Sequence, residues 1–410
     1  MRYGLLGRKL GHSYSPQIHH QLGDYDYELF EKEPEELEAF LKNGDFTGLN
    51  VTIPYKKAVI PYCSELSPVA SMLGAVNTIV RKSDGSLIGH NTDYFGFCTM
   101  VRHSGISVTG KKVLVLGSGG ASATVVAALQ EYGAQPIVIS RSGENNYGNL
   151  DLHKDAAVIV NATPVGMFPH TDGCPVDISL FPNLEGVLDL IYNPARTALL
   201  QAAENRGLVA ENGLLMLVAQ AKESAEWFTG EHIPDSMIDK IHRRMRMETE
   251  NIALVGMPGS GKSTVGEFLA KILGKTFVDA DAAIVQKTGI SIPEIFATRG
   301  EAEFRRLENA VLQELGKQSG LVIATGGGCV TVDKNYSALH QNSRIFWLKR
   351  DIFALPTEGR PLSQINSLEE MYRKREPLYE RFSDYSVLNN GTPLDAADHI
   401  ISILTGGTQA

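Results

Sequence analysis

The chain has 410 residues, 43% hydrophobic and 21% charged, with 40 glycines and a formal net charge of −9. That length holds two to three domains with cores of their own, so no disulfide or metal staple is needed. The acidic balance argues against a nucleic-acid partner, whose phosphates attract basic surfaces. No apolar run approaches the ~18 residues of a membrane span. The opening MRYGLLGRKLGHSYSP is interrupted by Arg8, Lys9 and His12 and does not read as a signal peptide. Cys63, Cys98, Cys174 and Cys329 lie far apart without CxxC or CxxH spacing, which predicts buried free thiols in a cytoplasmic protein.

The first hundred or so residues predict short strands at Tyr3 to Leu6 and Leu49 to Ile53 and a helix around Glu35 to Lys42. Polar clusters punctuate them: His12-Ser13-Tyr14-Ser15-Pro16, Asn50 to Lys56 (NVTIPYK), Gly74 to Thr78 (GAVNT) and Gly89 to Asp93 (GHNTD). Hydroxyls, amides, one lysine and one aspartate at strand ends suit a cleft for a small polyhydroxy acid. Taken singly, each cluster is equally ordinary turn chemistry.

Next comes the apolar run Val113 to Leu116, which reads as a buried parallel strand. It leads into Gly117-Ser118-Gly119-Gly120-Ala121-Ser122 and then an Ala/Val/Leu-rich helix, the strand–glycine turn–helix of a dinucleotide site. A second strand, Pro136 to Ile139, ends at Ser140-Arg141-Ser142. An acidic residue there would hold the ribose 2′-hydroxyl of NAD, whereas Arg141 suits the 2′-phosphate of NADP.

Residues 242–251 (HRRMRMETEN) are charged and show no apolar period after Ile241, so the junction is placed near Met247. The strand Ile252 to Val255 then runs into Gly256-x4-Gly261-Lys262-Ser263, the P-loop pattern. In it backbone N–H groups cradle phosphates, Lys262 meets the β- and γ-phosphates and Ser263 reaches Mg²⁺. Asp279 and Asp281 follow on a predicted strand, two residues apart and so on one face. Gly300-Glu301-x2-Phe304-Arg305 comes next, Ala324 to Gly328 follow the apolar strand Leu321 to Ile323, Gly359-Arg360-Pro361-Leu362 sits in a polar segment, and Arg375 to Tyr379 end a charged helix.

In order, HSYSP, NVTIPYK, GAVNT, GHNTD, GSGGAS, NATPVGM (161–167), DLIYNPARTALL (189–200) and NGLLMLVAQA (212–221) resemble shikimate dehydrogenase over residues 1 to about 245. The resemblance implies that Ser13, Ser15, Thr52, Asn77, Asp93 and Gln220 hold shikimate with Tyr192 near the ring. It makes Lys56 and Asp93 the catalytic pair. It assigns NADP(H) to Gly117, Ser118, Gly119, Gly120, Ala121, Ser140 and Arg141, with Leu190 and Gly213 beside the nicotinamide. The family's Asn-Arg-Thr after the second strand is Ser140-Arg141-Ser142 in this chain.

The second half resembles shikimate kinase. That resemblance gives Asp281, Arg305, Gly327 and Arg375 to shikimate, with Lys262 and Asp281 catalytic. Gly259, Ser260, Gly261, Lys262, Ser263 and Thr264 bind ATP, Ser263 and Asp279 serve Mg²⁺, and Arg360 reaches the phosphates from a lid. Asn389-Asn390-Gly391-Thr392 stand where such kinases place an arginine against the adenine, leaving Arg344 or the lid for that role.

The expected fold class is α/β: an α/β substrate domain (1–101), a Rossmann NADP domain (102–225) and a C-terminal helical part (226–247), then a P-loop kinase domain with a parallel sheet (248–410). The product of the first reaction is the substrate of the second. The expected function is therefore NADPH-dependent reduction of 3-dehydroshikimate followed by ATP-dependent phosphorylation of shikimate. Two other readings are a quinate-accepting dehydrogenase paired with a related kinase, and a ligand-sensing regulator. Intact Lys56, Asp93, Lys262 and Asp281 argue against the regulator.

Overall fold

The apolar runs become three sheets in a computed structural model that describes residues 2–11, 13–355 and 368–406. By contacts the chain divides into two units: Met1–Tyr192 with Thr197–Met245, and Asn193–Arg196 with Arg246–Ala410.

The first unit opens with a mixed sheet of β1 (Arg2–Gly7), β2 (Asp26–Glu31), β3 (Gly48–Val51), β4 (Glu65–Leu66), β5 (Thr78–Arg81) and β6 (Leu87–His90), in the order β2-β1-β3-β5-β6-β4. Antiparallel pairing sets Asn50 opposite Thr78 and Thr78 opposite His90. Strand side chains alternate between faces, so this register gathers polar groups side by side on one face.

Its second sheet is parallel: β7 (Lys112–Leu116), β8 (Gln135–Ile139), β9 (Val158–Asn161), β10 (Gly186–Asp189) and β11 (Val209–Glu211), in the order β11-β10-β9-β7-β8. Val113–Leu116 and Val158–Val160 are buried on both faces, as a helix-covered parallel sheet requires. The chain leaves β7 to one side for β8 and then crosses to β9 on the other. That reversal opens a crevice at the carboxyl ends of β7 and β9.

The second unit holds β12 (Asn251–Val255), β13 (Thr276–Asp279), β14 (Leu321–Ala324), β15 (Ser343–Lys349) and β16 (Tyr385–Leu388), all parallel, in the order β13-β14-β12-β15-β16. The helix Lys262–Leu273 covers one face through Val265, Leu269 and Ala270, which join Leu254, Val322 and Phe346 in one apolar cluster.

Four local expectations need correction. The apolar period does not stop at Ile241: Ile238, Ile241, His242 and Met245 are the buried positions of a helix that runs Ser236–Thr249, and its 3–4 spacing marks one helix face. Asp279 and Asp281 do not share a strand, because β13 ends at Asp279, whose carboxylate caps the next helix by accepting from the Ala282 N–H at 3.1 Å. Arg375 sits within the helix Leu368–Phe382 rather than ending it. The thiols are free, but Cys174 is exposed and Cys63 only half-buried. Among the described residues no helix is long and apolar enough to cross a membrane.

Candidate functional site

In the first unit, the segment after β3 brings Lys56 to the helix Asp93–Ser104. Lys56 Nζ lies 2.6 Å from Asp93 Oδ2, with 22% and 13% of the two side chains exposed. An ammonium held by a partly desolvated carboxylate is oriented and still reachable by a substrate. Asn77 and Gln220 meet from different elements, Nδ2 to Oε1 at 3.4 Å, and both are buried. Ser13 Oγ bonds Ser15 Oγ at 3.1 Å. The ring of Tyr192 lies 5.2 Å from that of Tyr14, and burial lifts its hydroxyl to about 12. Thr52 sits against β1, its N–H donating to Leu6 O at 2.9 Å.

The glycine turn after β7 is open at two of its glycines. Gly117 has φ +103°, and a Cβ there would stand 2.8 Å from Thr163. A Cβ at Gly119 or Gly120 would meet nothing within 4 Å, so the backbone is open where the helix Gly120–Glu131 begins. A helix start of this kind presents unpaired N–H groups to an anion. Ser118 is exposed and Ala121 half-buried in the same turn. After β8, Ser140 Oγ accepts from Gly143 N–H at 2.9 Å and Arg141 is exposed; its charge reaches the Tyr147 hydroxyl. Leu190 and Gly213 are brought together: a Cβ on Gly213 would lie 2.1 Å from the Leu190 carbonyl oxygen.

Sequence reasoning missed Asp189, which organises this end of the sheet. It accepts from Ile191 N–H (3.0 Å), Thr197 Oγ (2.7 Å) and Asn161 Nδ2 (3.0 Å). Complete burial nevertheless raises its carboxyl to about 6. Its position inside DLIYNPARTALL was the available signal.

In the second unit, a cavity of about 680 Å³ opens at the carboxyl ends of the strands and collects every described residue assigned to this site except Ser260. Ser260, in the same loop, is buried. Lys262 Nζ donates to Gly256 O and Met257 O at 2.9 Å. Ser263 Oγ donates to Asp279 Oδ2 at 2.7 Å. This pair of oxygen ligands fits a hard cation that keeps most of its own water and phosphate ligands. Asp281 Oδ1 is buried without a partner, and burial together with Asp279 raises its carboxyl.

Arg305 lines this cavity and is also ion-paired, to Glu308 at 2.9 Å and Glu301 at 3.1 Å. One side chain therefore makes two salt bridges and still faces the cavity. Glu308 is fully buried, its second oxygen unpartnered, and desolvation lifts it to about 7 against the opposing pull of Arg305. Arg375 (3.1 Å) and the Tyr379 hydroxyl (2.5 Å) both donate to Gly327 O.

Arg344 does not approach this site. It pairs with Ile252 at the amino end of the sheet and bonds Glu250 at 2.7 Å. Arg350, one residue beyond β15, lines the cavity instead. Asn389, in the segment where an arginine was expected, donates to Ser260 O at 2.7 Å and so braces the P-loop. Arg360 lies outside the described residues.

The shikimate kinase family matches residues 258–405, and the shikimate dehydrogenase substrate binding domain matches residues 5–79. The shikimate dehydrogenase (NADP(+)) of Clostridium perfringens (strain 13 / Type A) is 34% identical over 266 residues, 60% of this chain and 98% of the relative. Among solved structures, a chorismate mutase/shikimate 5-dehydrogenase fusion protein from Clostridium acetobutylicum is 37% identical with a TM-score of 0.56, over 60% of this chain and 96% of that one. The Thermus thermophilus shikimate 5-dehydrogenase in complex with NADP(H) and shikimate is 32% identical with a TM-score of 0.55, over 60% and 99%. These likenesses give a plain conclusion: the chain belongs to the shikimate dehydrogenase family and carries a shikimate kinase domain behind it, as one bifunctional shikimate-pathway enzyme.

Proposed function

We propose that the first unit reduces 3-dehydroshikimate to shikimate with NADPH, and that the second transfers the γ-phosphoryl group of ATP to shikimate, giving shikimate 3-phosphate. Both reactions belong in the cytoplasm with small-molecule substrates. The observation that carries the first half is the Lys56–Asp93 contact of 2.6 Å in a partly buried cleft.

The nicotinamide supplies a hydride when bound, beside Leu190 and Gly213. Lys56 supplies the other half of the reduction: its ammonium hydrogen-bonds the ketone oxygen, stabilises the developing alkoxide and gives up a proton to it. Asp93 keeps the ammonium aimed. Ser13, Ser15, Thr52, Asn77 and Gln220 take the substrate's hydroxyls and carboxylate, with Tyr192 against its ring. Gly117, Ser118, Gly119, Gly120 and Ala121 face the pyrophosphate. Ser140 and Arg141 take the adenosine 2′-phosphate.

In the kinase half, Arg305 and Arg375 offer guanidinium forks that match a carboxylate. Asp281, with its unpartnered oxygen, receives the hydroxyl that is phosphorylated. The Gly327 carbonyl is already engaged by Arg375 and Tyr379, so its N–H is the group left for substrate. Lys262 and the 259–264 loop neutralise and position the phosphates, which is most of what phosphoryl transfer asks of a protein. Ser263 and Asp279 would hold Mg²⁺, which adds charge neutralisation when bound.

One assay tests both halves. The purified chain should oxidise NADPH only when 3-dehydroshikimate is added, and should form shikimate 3-phosphate when ATP and Mg²⁺ follow. Lys262→Ala should lose the second step and keep the first. Preferential turnover of quinate with NAD would replace the dehydrogenase reading, and absence of both activities would sink the whole assignment.

A further inference from the structure

Beneath the reduction site lies a closed cycle of hydrogen bonds that no substrate residue explains by itself. Asn77 Nδ2 donates to Thr92 Oγ1 at 3.0 Å. Thr92 Oγ1 lies 2.9 Å from Ser224 Oγ, and Ser224 Oγ lies 2.8 Å from Thr78 Oγ1. Thr78 Oγ1 donates to Asn77 Oδ1 at 3.1 Å, closing the ring. All four residues are buried, Thr78, Thr92 and Ser224 completely. With protons running in that sense, each hydroxyl donates once and accepts at least once, so no member is left unsatisfied. Asn50 Nδ2 adds a further donation to Ser224 at 2.8 Å. The amide of Asn77 is oriented by the Thr92 N–H, which donates to its Oδ1 at 2.7 Å.

Ser224 is the member that ties separate elements together. Thr78 opens β5 and Asn77 immediately precedes it, Thr92 is the residue before the helix that opens with Asp93, and Ser224 lies one turn beyond Gln220 on the helix Leu214–Thr229. Its hydroxyl also donates to the Gln220 carbonyl oxygen at 2.9 Å, so its one proton is shared between that carbonyl and Thr78 Oγ1. Removing that one oxygen would loosen the mutual placement of Asn77, Asp93 and Gln220 while touching none of them covalently. Chains of buried hydrogen bonds are costly to break and hold a single geometry when complete.

We propose that Ser224 is a positioning residue of the reduction site, the hub of a buried hydroxyl ring that holds Asn77, Asp93 and Gln220 in register for a small polyhydroxy acid. The proposal rests on the reading of this unit as a dehydrogenase of such an acid. Ser224 acts through other side chains, so its effect falls on substrate affinity more than on NADPH.

Kinetics on the full chain test it, with the KM for NADPH as the internal control that the mutated unit is folded. Ser224→Ala should raise the KM for 3-dehydroshikimate about tenfold, in the range that small misplacements of binding groups produce, with the KM for NADPH unchanged. Thr78→Val breaks the same ring elsewhere and should do the same, and the double variant should be no worse than either single one, as groups acting through one network are non-additive. Thr78→Ser keeps the hydroxyl and loses only a methyl group, so it should restore a KM near wild type. If the hydroxyls merely fill space, Thr78→Val would behave like wild type and Thr78→Ser would not; that pattern overturns the proposal. So does a KM within twofold of wild type in both Ser224→Ala and Thr78→Val. Should Ser224→Ala fail to fold, the Thr78 pair decides alone. A wild-type chain with no turnover of 3-dehydroshikimate would instead remove the dehydrogenase reading, and the proposal with it.

Discussion

Gly213 packs directly on the carbonyl oxygen of Leu190, so closely that a Cβ would stand 2.1 Å from that oxygen. The obstacle is backbone, which cannot turn aside as the tip of a side chain can. Gly213→Ala should therefore push β10's exit loop away from the helix Leu214–Thr229, at the ~1–3 kcal/mol typical of overpacking. The expected readout is a raised KM for NADPH with phosphorylation of shikimate intact. An unchanged KM would separate this contact from the nicotinamide.

Lys56→Ala should lower the dehydrogenase kcat by about 10²–10⁴, the span for losing a positioned general acid, and leave the kinase untouched. Asp93→Asn keeps the shape but removes the charge that aims the ammonium, and should fall in the same direction. Steady-state rates at saturating NADPH check both. A kcat within a few-fold of wild type in Lys56→Ala would remove the lysine from the chemistry.

Asp189 supplies a pH test. Its folded-state value of about 6 lies above the ordinary 3.8, because burial outweighs the three hydrogen bonds it accepts. Proton binding thus favours the folded state: this contribution is fully present below about pH 4 and is lost as pH rises through about 6. Asp189→Asn cannot titrate, so between those pH values its melting temperature should gain on that of wild type. Following the transition that NADPH raises isolates the relevant unit. A constant gap between the two proteins would mean that Asp189 ionises normally.

Glu308 and Asp281 flank Gly326, whose Cβ would meet Glu308 Oε1 at 2.8 Å and Asp281 Oδ1 at 2.9 Å. Glu308 also holds the Arg305 fork. Glu308→Ala should free that guanidinium and weaken shikimate binding by about tenfold or more, the effect of losing a hydrogen bond to a charged group, with little change in ATP affinity. Titration calorimetry with each ligand checks this. Equal loss of both affinities would indicate collapse of the cavity.

Asn389→Ala removes the buried bond to Ser260 O and should raise the KM for ATP several-fold while sparing that for shikimate. The P-loop works by pre-arranged N–H groups, so a slack loop binds phosphate less well. An unaffected KM for ATP would leave Asn389 a purely structural residue.

What local sequence determined was whatever depends on neighbours along the chain. Strand–glycine–helix transitions at Leu116–Gly120 and Val255–Lys262 were legible because tight turns and helix starts draw on a few residue types at fixed spacing. The ordered motifs named the chemistry, and Lys56 with Asp93 appeared in them 37 residues apart. Tertiary structure decided what depends on meetings between distant segments. Asp189 became an acceptor of three donors only when β9 and β10 paired. Asn389 reached Ser260 across 129 residues, and Arg344 was carried to the wrong end of β15 by the parallel register. The hydroxyl ring around Ser224 joins residues separated by as many as 147 positions, from Asn77 to Ser224. A serine inside a helix has no local signal for such a role, since the burial that makes its one hydroxyl matter exists only once three elements have packed around it.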